Sequence, residues 1–229
     1  MTTTRDRVLA AAANLLASGG REAVSTRAVS AAAGVQPPTL YRLFGDKERL
    51  LDAVATYGFQ DYLADKQALA QSEDPVADLR RAWDLHMGFG LSKPEFYILM
   101  YGEARTGEES RAGRDTVTML QGLLARLGKA GLLRMSVERA TRLVHATAIG
   151  VVLSLLALPP DERDPELPAV AREHVLRAIT TGDAPAPAAP AAARAVALRE
   201  ALRQNGAVPL TPAESSLLAE WLDRIANAT

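Results

Sequence analysis

A chain of 229 residues with 48% apolar side chains can bury a core as one large domain or two small ones. It has no cysteine, which excludes disulfides and thiolate metal sites, and its three histidines, His86, His145 and His174, show no metal-ligand spacing. The net charge of −1 hides a division: residues 1–50 carry seven Lys/Arg against four Asp/Glu, and the remainder carries nineteen against twenty-three, so a basic N-terminal piece precedes an acidic body.

Alanine and leucine dominate and β-branched runs are few, which predicts an all-α chain. Val8, Ala12, Leu15 and Leu16 make one apolar stripe, so residues 4–18 read as a first helix that Gly19-Gly20 ends. Ser25 or Thr26 caps a short second helix that stops at Gly34, with Val29, Ala32 and Ala33 facing inward. A third helix runs from about Pro37 to Phe44. Gly45 breaks it, and Asp46 caps a long fourth helix with Lys47 and Glu48 in its first turn. Asp74-Pro75 opens a helix carrying Leu79, Trp83, His86 and Met87, and Pro94 starts another with Phe96, Tyr97, Leu99, Met100 and Tyr101. Further helices are expected over about 108–129, from the cap Ser136 to about Leu158, and from Asp164-Pro165 to near Gly182. The stretch DAPAPAAPAA, residues 183–192, reads as a semi-rigid linker. Two helices follow, over about 191–204 and 212–227. The second opens on a capping box, Thr211 with Glu214, and bears the apolar face Leu217, Leu218, Trp221, Leu222 and Ile225. The polar start and Asp6 do not fit a signal peptide, and the greasy run 146–158 is too short to span a bilayer, so a cytoplasmic protein is expected.

The paired prolines at 37 and 38 explain themselves as a helix start. The first N–H groups of a helix have no acceptor within it, so proline there loses no bond and pre-sets φ. Two short helices meeting at Gly34 make a helix-turn-helix, whose second helix offers its N-terminal end to the DNA major groove. Gln36, Pro37, Pro38, Thr39, Tyr41 and Arg42 lie at or near that end. The hydroxyls of Thr39 and Tyr41 suit phosphates, and Lys47 adds a cation at a positive helix terminus. Gln36 or Arg42 can read base edges, and the prolines can touch thymine methyls. Leu40 and Phe44 face inward.

The segment STRAVSAAAGVQPPTLYRLFGDKERLL resembles the DNA-binding signature of TetR-type transcriptional regulators. Thr26 and Arg27, the turn Ala32 to Val35, Thr39 to Phe44, and Lys47 with Leu50 and Leu51 carry the likeness over residues 5–51. Gln36 stands where many members have a small hydroxyl residue, and Pro38 where glycine is common. The resemblance implies a three-helix DNA-binding domain, here residues 1–47, and a ligand-binding, dimerising helical bundle, here 48–182. The linker 183–190 and a helical extension, 191–229, exceed that pattern. It implies a homodimer binding a palindromic operator, usually as a repressor, with Ser25, Thr26, Arg27, Gln36, Pro37, Pro38, Thr39, Tyr41, Arg42 and Lys47 at the DNA. A small apolar or amphipathic effector is expected in the body, near Trp83, His86, Met87, Tyr97, Met100, Tyr101, Met119 and His145. No cofactor, metal or membrane partner is expected. The helix 139–158, with the one after Pro165, is the expected dimer seam. Two rivals are a helical-bundle enzyme, for which Glu103, Glu108 and Glu109 lack any companion nucleophile, and a protein-binding adaptor using 191–227.

Overall fold

A computed structural model describes residues 3–68, 71–102, 111–181, 191–204 and 210–227. Among the described residues, eleven α-helices run in chain order: α1 Thr4–Ala23, α2 Thr26–Ala33, α3 Pro37–Phe44, α4 Lys47–Ala68, α5 Pro75–Ser92, α6 Pro94–Tyr101, α7 Arg111–Lys129, α8 Val137–Leu156, α9 Leu167–Ile179, α10 Ala191–Gln204 and α11 Pro212–Ala226. Among the described residues the only extended pairing is one antiparallel bridge, Leu133 with Thr180. Two compact units result, the first comprising 1–69, 85–116 and 152–162, the second 70–84, 117–151 and 163–229.

In the first unit, α1 packs on α2, α4 and α6, α2 on α3, α3 on α4, and α4 on α6. The stripe read in α1 is real: Val8, Ala12 and Leu16 are buried and Leu15 half-buried. A reciprocal capping box, Thr3 with Asp6, starts the helix. Its regular turns stop where the two glycines stand. Gly20 adopts φ 64°, and one further turn, to Ala23, follows the kink. A Cβ on Gly20 would come within 3.0 Å of a Glu95 carboxylate oxygen of α6. The next residue of α6, Phe96, lies so close to α4 that a Cβ on Gly58 would meet its ring at 2.1 Å. Ala32, expected to face inward, is exposed; Val29 and Ser30 are the buried residues of α2. A methyl group carries too little apolar area to fix a helix's rotation, and Val29 does so instead.

In the second unit, Asp74 caps α5 by accepting from Val76 and Ala77 N–H, with Pro75 at the first helical position, as expected. Ser136 likewise precedes α8 and accepts from Arg139 N–H. The helix expected from Pro165 begins instead at Leu167. Asp164 spends its carboxylate on Glu166 N–H in a turn, and Pro168 occupies the first turn of α9. α8 has 20 residues, and its most apolar 18-residue stretch has a mean hydropathy of 1.3, the length and composition of a span, so the shorter run understated it. Its buried side, Val137, Ala140, Thr141, Val144, Ala148 and Val151, alternates with exposed Arg139 and Arg142, the pattern of a bundle helix. Asp78, buried under its partners, accepts from Ser72 N–H and hydroxyl and from Arg81 and Arg126. The hairpin α10–α11 sits on this unit of its own chain. Val196 and Glu200 crowd Gly128 of α7, Arg199 bridges Glu138 and Asp223, and Asn227 bonds Ser136. Residues 183–190, Glu103, Glu108 and Glu109 lie outside the described residues.

Candidate nucleic-acid interface and aromatic cluster

The turn between α2 and α3 is set by Gly34, at φ 64° and ψ 39°. Open space surrounds it, so the left-handed backbone, not crowding, calls for glycine. Its N–H bonds Ala31 and Ser30 carbonyls, and Val35 N–H reaches back to the Ser30 carbonyl at 3.0 Å, closing α2. Gln36 is the N-cap of α3 but its side chain makes no capping bond; Pro37 and Pro38 occupy the positions whose N–H groups would be unsatisfied. Thr39 N–H is the first to bond, to the Gln36 carbonyl at 2.9 Å.

What aims this helix is its inner face. Leu40 and Phe44, one turn apart, are buried, and the Arg5 guanidinium stacks over the Phe44 ring at 5.1 Å. The opposite face therefore turns outward. Gln36, Pro37, Pro38, Tyr41 and Arg42 are exposed, Tyr41 at 51% although it is a large aromatic, and Thr39 is half-buried. Beside them stand exposed Arg27, half-buried Thr26 and half-buried Lys47 in the first turn of α4. Ser25 differs in function from a free hydroxyl: its oxygen accepts Ala28 N–H at 3.1 Å and caps α2. Arg21 forks onto both Glu48 oxygens at 3.0 and 3.1 Å, tying the turn after the α1 kink to the start of α4.

The expected effector residues divide between the units. His86, Met87, Tyr97, Met100 and Tyr101 fall in the first; Trp83, Met119 and His145 fall in the second. Trp83 is buried there with its indole N–H donating to the Pro168 carbonyl at 3.0 Å, whereas Met119 and His145 are half-buried. In the first unit an aromatic cluster forms around His86. Its Nδ1 lies 3.3 Å from the Tyr62 hydroxyl and its Nε2 lies 2.9 Å from the Tyr97 hydroxyl. Phe59 and Phe89 pack against Tyr62 with ring centroids 4.6 and 4.8 Å away, and Tyr101 packs against Tyr97 at 4.9 Å. Burial, and then the neighbouring Tyr101, pushes the Tyr62 and Tyr97 phenols far above their usual range, so both stay protonated. Either phenol can donate or accept, and which does so at each ring nitrogen is set by the His86 tautomer.

Phe59, Tyr62 and Phe89 were not among the expected site residues. Each shares a helix face with a partner three residues away, Phe59 with Tyr62 and Phe89 with His86, and that spacing was the available signal.

Residues 8–54, which hold this helix-turn-helix and the start of α4, match the family described as bacterial regulatory proteins, tetR family. Residues 8–54 are a tetR-family domain. The chain is 30% identical over 132 residues to an uncharacterized HTH-type transcriptional regulator of Mycobacterium tuberculosis (strain CDC 1551 / Oshkosh), a match spanning 54% of this chain and 65% of that relative. The fold is shared with a TetR family transcription regulator from Marinobacter aquaeolei VT8, at 24% identity and a TM-score of 0.56 over 77% of this chain and 95% of that one. It is shared also with a TetR variant from Acinetobacter baumannii AYE solved in complex with minocycline, at 24% identity and a TM-score of 0.56 over 74% and 90%. The described residues thus share the helical fold of these solved structures, and residues 8–54 carry the tetR-family match.

Proposed function

We propose that the protein is a transcriptional regulator that binds a palindromic operator as a homodimer and is released from it by a small apolar or amphipathic effector. The observation that carries this reading is the tip of α3: Leu40 and Phe44 hold the helix from inside while Gln36, Pro37, Pro38, Tyr41 and Arg42 face out. Tyr41, Thr39 and Lys47 take phosphates, with Ser25, Thr26 and Arg27 flanking; Gln36 and Arg42 read base edges. Two such heads on a two-fold dimer reach successive major grooves about 34 Å apart. The dimer seam is the exposed face of α8 and α9. Leu143, Ala146 and Gly150 line α8 at helical spacing, and Val170 stands out from α9.

The effector is expected at the aromatic cluster of the first unit, whose rings and phenol–imidazole–phenol chain supply apolar surface with a few polar points. That a tetR-like neighbour binds minocycline, a polycyclic molecule, supports a ligand with rings. Such a ligand changes DNA affinity only by binding the DNA-competent and incompetent states unequally.

Selection of bound DNA from a random pool, with the full chain and repeated over a salt series, tests the reading. The expected outcome is enrichment of an inverted repeat and a log–log salt slope of roughly −0.9 per phosphate neutralised. No enrichment together with a flat salt response overturns it.

A further inference from the structure

The C-terminal hairpin leaves one face of α11 uncovered. Leu222 and Ala226 are buried against its own chain, but Leu217, Trp221 and Ile225 are exposed at 44%, 50% and 45%. They lie four residues apart and so form a single stripe. The arrangement has a centre. Trp221 is flanked at −4 by leucine and at +4 by isoleucine, and on one edge by Glu220 at −1 and Arg224 at +3. Glu220 and Arg224 pair with each other along the helix, and both remain mostly exposed.

We propose that this stripe is covered by α11 of a second copy of the chain, packed antiparallel about a two-fold axis at Trp221; the inference rests on the reading of the protein as a homodimer. A two-fold contact presents the same patch from both sides, so position n must suit the position that the axis brings opposite it. Antiparallel pairing lays Leu217 on Ile225 of the copy and stacks the two Trp221 rings. Rise along the helix then puts Arg224 about 3 Å, measured along the axis, from Glu220 of the copy. Each acid meets a base across the contact, and the ion pair now made within the helix is shared between copies. Parallel pairing would put the copy's Glu220 and Arg224 on the opposite edge of the contact, out of reach of these two. The charge pattern therefore selects the second copy, and selects its direction. Three side chains from each copy bury far less than the roughly 1,600 Å² of a stable interface, so this contact adds to a larger seam rather than replacing it.

The protein has two tryptophans, Trp83 and Trp221, and only the second is open to solvent. Acrylamide quenching of the full chain, measured over a dilution series beside sedimentation equilibrium, therefore follows Trp221, with Trp221→Phe as the blank. The quenchable emission is expected to disappear as dimer forms. Glu220→Arg should weaken dimerisation about tenfold, two exposed ion pairs being replaced by like charges, and Glu220→Arg with Arg224→Glu should restore it. Dimer formation with Trp221 as quenchable as in the monomer overturns the proposal and leaves the homodimer reading intact; so does a double charge reversal that fails to rescue. A chain that stays monomeric at every concentration overturns both.

Discussion

Asp78 gives the sharpest test of the second unit's packing. Burial alone would raise its pKa, but the Ser72 hydroxyl and N–H and the Arg126 guanidinium outweigh burial and hold it at about 2, against 3.8 for a free aspartate. That gap corresponds to roughly 2 kcal/mol of folding stability at neutral pH, at about 1.4 kcal/mol for each pKa unit. Because the folded value is the lower one, the contribution is complete above about pH 5 and is lost as the pH falls through 3.8 towards 2. Asp78→Asn keeps the volume and removes the charge. Arg81 and Arg126 are partly exposed and can be rehydrated, so the cost should stay near that figure and below the roughly 3–5 kcal/mol of a fully buried broken pair. Urea unfolding of wild type and variant at pH 7, 5 and 3 measures it. The difference should be equal at pH 7 and 5 and about half as large at pH 3. A difference that is constant across all three, or under about 0.5 kcal/mol at pH 7, would refute the assignment of Asp78 as a charged anchor.

Three further outcomes are expected. Leu40→Ala should destabilise the head by about 2–5 kcal/mol, because it empties a fully buried site that fixes the rotation of α3, and protection of α3 amides from hydrogen exchange should fall with it. Tyr41→Phe and Lys47→Ala should each weaken binding to all DNA sequences alike, and the salt slope should shrink by about one for each phosphate no longer neutralised, whereas Gln36→Ala should change sequence preference; equilibrium binding at several salt concentrations separates the two. Gly58→Ala should cost about 1–3 kcal/mol by driving a methyl group into the Phe96 ring, and Gly58→Ala with Phe96→Leu should recover part of it in thermal unfolding.

The head was legible in the sequence because its signals are local. Pro37-Pro38 and Gly45 mark the ends of α3 by backbone restriction alone, and Leu40 with Phe44 marks its inner side. Local signals also mislead where two of them compete. Asp164-Pro165 has the same chemistry as a true helix start, and only the second proline, Pro168, shows that the first pair is a turn. The aromatic cluster was half legible. His86, Tyr97 and Tyr101 stand out on their helices, but Phe59 and Tyr62 reach them across a long sequence separation that no periodicity reports. Charged residues hid their partners in the same way: nothing near Asp78 in sequence announces Arg126.

Helix α6 is only eight residues long, yet consecutive side chains engage three different helices: Glu95 abuts the α1 kink, Phe96 fills the notch at Gly58 of α4, and Tyr97 bonds His86 of α5. Successive residues of a helix point about 100° apart, so these three bearings span about 200° of the rod, and the side left over, at Ile98, faces solvent. Rotation of α6 about its axis would therefore shift the contacts at Gly20, Gly58 and His86 together.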